Sequence, residues 1–151
     1  MEESVMTLTD LDKIIQAFEL TEQDYRSYSA LTLAYIGDCI YDLMIRTAVI
    51  FKSHKQVNDL HKKTTRFVKA ETQALMIQGL VENDMLTEEE KSVYKRGRNT
   101  KSHTVAKNAS VAAYRKATGF EAVLGYLYLT KQTERILELI KIGLTYAELE
   151  L

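Results

Sequence analysis

Asp38 and Glu121 are the residues of this chain whose surroundings most need a chemical explanation. Asp38 lies in LAYIGDCIYDLMI, a mid-helix position among residues expected to be buried, where aspartate is a poor helix former and an unpaired charge is costly. Glu121 opens FEAVLGYLYL, the other segment of comparable apolarity. Each carboxylate is tolerable in such company if it is paired, caps a helix end or binds a metal. Gly37 stands beside Asp38 and Gly125 one turn after Glu121, and glycine inside a helix costs about 1 kcal/mol relative to alanine. That cost suggests close backbone approach. If the glycines mark the crossing of the two helices, Asp38 and Glu121 face one another there and could share a divalent cation through oxygen ligands, a donor set that suits Mg2+ or Mn2+. Asp42, one turn after Asp38, fits a solvent-facing or salt-bridged role better. Spacing by itself leaves open the alternative that Asp38 is a carboxylate paired with an arginine or a helix end.

The charge map adds a second feature. Lys91, Lys95, Arg96, Arg98, Lys101, Lys107, Arg115 and Lys116 follow one another with no Asp or Glu between Lys91 and Phe120, while the other 121 residues carry 12 basic and 21 acidic groups. An ordinary solvated face interleaves its signs, so a one-signed block in a chain of net charge −1 points to an anionic partner met at one face. RGRNTK is its sharpest part: Arg96, Arg98, Asn99 and Lys101 surround a glycine that lets backbone and guanidinium groups approach a phosphate together. Lys62, Lys63 and Arg66 belong to a looser second group, for which a solvated face is an equal alternative.

Other chemistries have little footing. His54, His61 and His103 show no HExxH or paired metal spacing, and neither a GxSxG elbow nor a P-loop is present. The one cysteine, Cys39, cannot form an internal disulfide or a multi-cysteine zinc site and reads as a small buried hydrophobe. No apolar run is long enough to span a membrane, and the acidic N-terminal stretch is unlike a secretory leader, so a cytoplasmic location is expected.

The elements that must position these residues are helices. Proline is absent and glycine numbers six, which removes the commonest helix and turn punctuation. Leu8, Leu11, Ile14, Ile15 and Phe18 predict an amphipathic first helix capped by Thr7 or Thr9, and Thr21 with Asp24 a capping signal for a short segment. Ser29 to about Phe51 is apolar on several faces and predicts a central, buried helix. Gln56 to about Gly79 predicts one long helix, and Thr87 with Glu88, Glu89 and Glu90 caps the next. NTKSHTVAK predicts an exposed loop, followed by helices over Asn108–Lys116, Phe120–Leu129 and Glu134–Leu149. The whole, residues 1–151, is expected to be a single all-α domain.

LAYIGDCIYD resembles the ribonuclease III signature, a glycine-aspartate pair inside a buried helix, and FEAVLGYLYL resembles that family's second motif, in which a glutamate begins a similar helix. With LHKKTTRFVKAETQA, LTEEEKSVYKRGRNTKS and the small size, the chain is most similar to mini-ribonuclease III, over a family-like core of about residues 29–129. The resemblance implies a ribonuclease III-type helical bundle with Asp38 and Glu121 as the catalytic, metal-binding pair and Mg2+, or Mn2+ in its place, as cofactor. It also implies a homodimer, hydrolysis of double-stranded RNA to 5′-phosphate and 3′-hydroxyl ends, and a role in maturing the large-subunit (23S) ribosomal RNA precursor. RNA-contacting residues are expected at Arg96, Arg98, Asn99, Lys101 and Lys107, and at Lys62, Lys63 and Arg66, so that the catalytic domain itself grips the duplex. Two departures from the larger enzymes stand out. Ala34 replaces the glutamate one turn before the motif aspartate, and Thr118 the acid three residues before the motif glutamate. A non-catalytic double-stranded RNA-binding dimer of the same fold is the alternative these replacements support.

Overall fold

The structure, a computed structural model, describes residues 10–53, 56–100 and 110–151. Among them the chain forms seven α-helices and no strand: α1 (Asp10–Ala17), α2 (Ala30–Ser53), α3 (Val57–Val68), α4 (Ala70–Glu82), α5 (Glu88–Asn99), α6 (Val111–Leu129) and α7 (Thr133–Tyr146). α6 is the axis of the bundle. It packs on α2, α5 and α4, and α7 closes against α4. Ser110 starts α6 by accepting from the Ala113 backbone N–H at 3.0 Å. Phe120, Ala122, Val123, Leu124 and Leu127 are then wholly shielded from solvent, as a helix apolar on most of its circumference requires.

The α2–α6 crossing is a backbone contact. A Cβ added to Gly37 would lie 1.8 Å from the Glu121 carbonyl oxygen, and one added to Gly125 would lie 1.9 Å from the Leu33 carbonyl oxygen. No other residue type fits either place at this separation. Around the contact, Tyr41 and Phe120 meet edge to face with centroids 5.8 Å apart, and Leu33 and Ile45 are fully buried.

Several local expectations change. α2 is buried on one side only: Leu33, Ala34, Gly37, Ile40, Tyr41, Ile45 and Val49 face the core, whereas Leu31, Tyr35, Leu43, Ile50 and Phe51 are exposed. Cys39 is exposed, not a buried hydrophobe. The single helix expected from Gln56 to Gly79 is two helices, because Lys69 is extended at φ −65°, ψ 154°. The carbonyls this break frees at the end of α3 are taken by side chains of α4: Thr72 Oγ1 donates to Arg66 O at 2.6 Å and Gln73 Nε2 to Val68 O at 2.8 Å, which satisfies groups a helix end otherwise leaves open. Conversely, α6 is one helix through Thr118 and Gly119, where two segments were expected. Gly119 there makes room for the Tyr94 ring of α5, whose Cδ1 would lie 2.6 Å from an added Cβ.

At the N-terminal side, Asp24 rather than Thr21 caps the 3-10 turn Tyr25–Ser27, accepting from the Arg26 N–H. α1 buries none of its residues, and Leu8, Thr7 and Thr9 lie outside the described residues. The Thr87–Glu90 capping box forms at the start of α5. Glu90, only 2% exposed, also accepts two hydrogen bonds at 2.9 Å from Arg135 of α7. No helix among the described residues is long and apolar enough to cross a membrane.

Candidate active site

The crossing of α2 and α6 brings Asp38 and Glu121 together. Asp38 follows Gly37 on α2, Glu121 lies one turn before Gly125 on α6, and the two carboxyl groups are within hydrogen-bonding reach of one another. Their burial is not what the apolar flanks suggested. Asp38 is exposed and Glu121 half-buried, because α2 turns Gly37 and Tyr41 inward and leaves the Asp38 side toward solvent. Asp38 is thus spared most of the burial cost its neighbours implied. Glu121 bears it: burial first, then the charge and hydrogen bond of Asp38, push its carboxyl up from 4.5 to about 8, against the opposing pull of a Gln73 N–H.

Gln73 was not singled out by sequence reasoning. It reaches the pair from α4, 2% exposed, with Nε2 donating to Glu121 Oε2 at 3.3 Å and to the Val68 carbonyl at 2.8 Å. The signal that could have found it is a lone glutamine among apolar residues in QALMI. Tyr41 stands close enough for the charge of Glu121 to add to burial in holding its phenol well above the ordinary range; its hydroxyl donates to Phe67 O at 2.7 Å.

Among the described residues no salt bridge reaches Asp38 or Glu121, so the paired-with-arginine alternative for Asp38 has no partner there. Asp42 makes its own i,i+4 bridge to Arg46 at 2.8 Å. No described group of three His, Cys, Asp or Glu side chains could hold a metal. Ala34 is a core residue, and the Thr118 hydroxyl bonds back to Tyr114 O at 3.0 Å. The donor set is therefore two carboxylates, with the buried Gln73 Oε1 beside them lacking any hydrogen-bond partner. Two carboxyl groups side by side with no cation of the described chain between them suit a hard divalent ion, whose charge would favour the ionised form of both.

The basic residues divide. Arg98 and Asn99 at the end of α5 line a groove of about 310 Å³ with Arg115 and Lys116 of α6. Arg98 lies over the Tyr94 ring, 5.5 Å from its centroid, and donates to Asn99 Oδ1 at 3.3 Å. Arg115 and Lys116 belong to the one-signed block but were not among the expected RNA contacts; their place in the groove follows from the packing of α6 on α5. Arg96 turns away and donates to Tyr28 O at 3.0 Å. On α3, Lys62 is exposed and Lys63 donates to Ser53 Oγ at 3.0 Å, while Arg66 shares a hollow with Glu148 and Glu150. Lys101, Lys107, His54 and His103 lie outside the described residues.

Comparison with known proteins gives a consistent result. The family described as Ribonuclease III domain matches residues 31–132. Mini-ribonuclease 3 of Enterococcus faecalis is 51% identical over 118 residues, 78% of this chain and 89% of that protein. Mini-ribonuclease 3 of Clostridium tetani is 51% identical over 131 residues, covering 86% and 85%, and that of Thermoanaerobacter sp. is 43% identical over 148 residues, covering 98% and 99%. An X-ray structure of a Fusobacterium nucleatum protein superposes with a TM-score of 0.74 at 34% identity, covering 85% of this chain and 100% of that one.

The raised Glu121 carboxyl sets a pH dependence for the metal-free protein. Between 4.5 and about 8 the folded chain holds a proton there that the unfolded chain does not, so unfolding releases it and stability falls as pH rises across that window, then levels off above it. Glu121→Gln keeps the uncharged shape and should remove this part of the slope. Denaturant titrations in a chelator at a series of pH values test it, and parallel curves for the parent and the variant would reject the assignment.

Proposed function

The chain belongs to the ribonuclease III family and is an endoribonuclease of the mini-ribonuclease 3 kind, and from that premise we propose that it hydrolyses double-stranded RNA with a divalent metal held by Asp38 and Glu121. The observation that carries this reading is the pair of carboxyl groups in mutual contact at a rigid backbone crossing, with no cation of the protein between them among the described residues. Magnesium is the proposed ion, with manganese able to replace it, because the donors are oxygens and most positions around the ion would remain water.

In this reading the residues have distinct tasks. Asp38, open to solvent, supplies the first negative oxygen; Glu121 gives up its proton and supplies the second. Gly37 and Gly125 keep the two at fixed separation, so little ordering remains to be done when RNA arrives. When bound, the metal would activate a water toward phosphorus and stabilise charge on the leaving 3′ oxygen. The bond between phosphorus and the 3′ oxygen breaks, leaving 5′-phosphate and 3′-hydroxyl ends, and no protein nucleophile is required. The Arg98–Asn99–Arg115–Lys116 groove supplies phosphate contacts, with Arg96, Lys62, Lys63 and Arg66 as further candidates. Duplex RNA offers mainly phosphates and 2′-hydroxyls in a wide minor groove, which suits a grip of this kind. The native substrate proposed is the double-stranded region of the 23S ribosomal RNA precursor.

The apolar stripe on the outer face of α2 supports a homodimer. Leu31, Tyr35, Leu43 and Ile50 follow at steps of about one or two turns and are 42%, 81%, 61% and 56% exposed. A patch of this composition marks an interaction surface, and a two-fold axis across α2 would set one active site on each side of a duplex.

Three outcomes are expected. Asp38→Asn or Glu121→Gln should lower cleavage of a duplex from the 23S precursor by roughly 10²–10³-fold or more, and chelation should do the same to the parent; cleavage within a few-fold of the parent in either variant removes that residue from the site. Duplex binding with no cleavage by the parent in Mg2+ would favour instead the non-catalytic reading, to which Ala34 and Thr118 lend support. Sedimentation should give twice the chain mass at micromolar concentration and the single mass for Tyr35→Asp; an active monomeric parent would sink the dimer. Replacing Arg98, Arg115 or Lys116 by alanine should weaken duplex binding alike across sequences and flatten its salt dependence by roughly one counterion each, whereas an unchanged slope for all three would move the grip elsewhere.

A further inference from the structure

One polar group at the site has no place in the reaction as described. Gln73 is 2% exposed, and its Nε2 donates to the Val68 carbonyl at 2.8 Å and to Glu121 Oε2 at 3.3 Å. A carbonyl accepts and cannot donate, so Val68 fixes which end of the amide is nitrogen. The other arm, Oε1, is the one buried side-chain nitrogen or oxygen among the described residues without a hydrogen-bond partner. The bond to Val68 accounts for the amide nitrogen; nothing in the described fold accounts for the oxygen. A buried amide with one satisfied arm is therefore explained either by a structural bond to Val68 alone or by a ligand that the second arm awaits.

The position favours the second. The Lys69 break lets α4 direct Gln73 at both the end of α3 and the carboxylate pair. An ion held by only two carboxylates keeps several waters, and each of those waters carries protons that need acceptors in a partly buried site.

We propose that Gln73 is a positioning residue of the metal site, its Nε2 orienting the Glu121 carboxylate and its Oε1 accepting a hydrogen bond from a water on the ion. This rests on the metal reading of Asp38 and Glu121 given above. Partners that orient a ligand in this way contribute about 10–100-fold to metal affinity. The amide also ties the site to the α3–α4 joint, since its nitrogen donates both to the Val68 carbonyl that ends α3 and to the Glu121 carboxyl.

Calorimetric titration of the RNA-free protein with Mn2+ alone tests this without any cleavage step. The parent should bind, Asp38→Asn should abolish binding, and Gln73→Met should weaken it by about 10–100-fold while a cooperative metal-free melt shows that the variant is folded, at a temperature lowered by the loss of the Val68 bond. A Gln73→Met affinity within twofold of the parent, in a titration that Asp38→Asn still abolishes, overturns the role of Gln73 alone. Binding insensitive to Asp38→Asn overturns the metal reading and the Gln73 role with it. A crystal structure of the parent with Mn2+ serves even if the methionine variant does not fold: a metal-bound water within hydrogen-bond distance of Gln73 Oε1 supports the proposal, and its absence overturns it.

Discussion

Two helix backbones in van der Waals contact are the constraint on which the remainder of this molecule depends. At Gly37 and Gly125 the separation of α2 and α6 leaves less than 2 Å between a would-be Cβ and the opposing carbonyl oxygen. Helices held by side-chain packing alone can slide by a rotamer change; helices held by backbone contact cannot. Asp38 and Glu121 hang directly beside that contact, so their approach is a property of the main chain and not of two flexible side chains finding one another. The Tyr41–Phe120 ring pair and the buried Leu33 and Ile45 lock the same crossing from the core side.

A second acid in the same bundle shows how unusual the pair is. Glu90 is as buried as any polar residue among the described ones, yet both of its oxygens receive Arg135 and the Thr87 N–H closes a capping box. That carboxylate is fully compensated within the fold, as structural buried charges must be. Glu121 has instead a second acid, a single amide N–H and a carboxyl raised to about 8. The contrast separates an acid that holds helices together from one that no cation among the described residues offsets, and perturbed groups of the latter kind gather at functional sites.

The surface is organised around the same two helices. α2 turns Asp38 outward along the edge of an apolar stripe, while the N-terminal turn of α6 and the C-terminal turn of α5 carry the cationic groove. The long helices thus shape several surfaces at once: α2 carries the exposed apolar stripe and Asp38, α6 carries Glu121 and the Arg115–Lys116 side of the groove. Arg98, lying over the Tyr94 ring, shows how the groove is stiffened, because a guanidinium held on a ring face keeps less rotamer freedom.

Much of this was legible in residue order. The absence of proline and the apolar runs pointed to helices, the glycines to a crossing, Thr87 and Glu90 to a cap, and Asp38 and Glu121 to a site. These are local signals, set by backbone sterics and by the cost of placing a glycine or an acid in an apolar helix. What residue order could not decide was everything that depends on which neighbour occupies the far side of a helix. Periodicity cannot say which flank of an all-apolar helix meets the core, so Asp38 and Cys39 were expected inside and stand outside. The break at Lys69 exists because Thr72 and Gln73 cap carbonyls that only the fold brings within reach. The unbroken run through Gly119 depends on a Tyr94 ring from another helix. Gln73 reads as an ordinary helix former until α4 is set against α6. Helix content, the crossing glycines and the identity of the acids are written in residue order, because they follow from bonds and sterics within a few residues. Exposure, partners and the raised Glu121 carboxyl arise once the helices are packed, because solvation and hydrogen bonding are properties of the space between them.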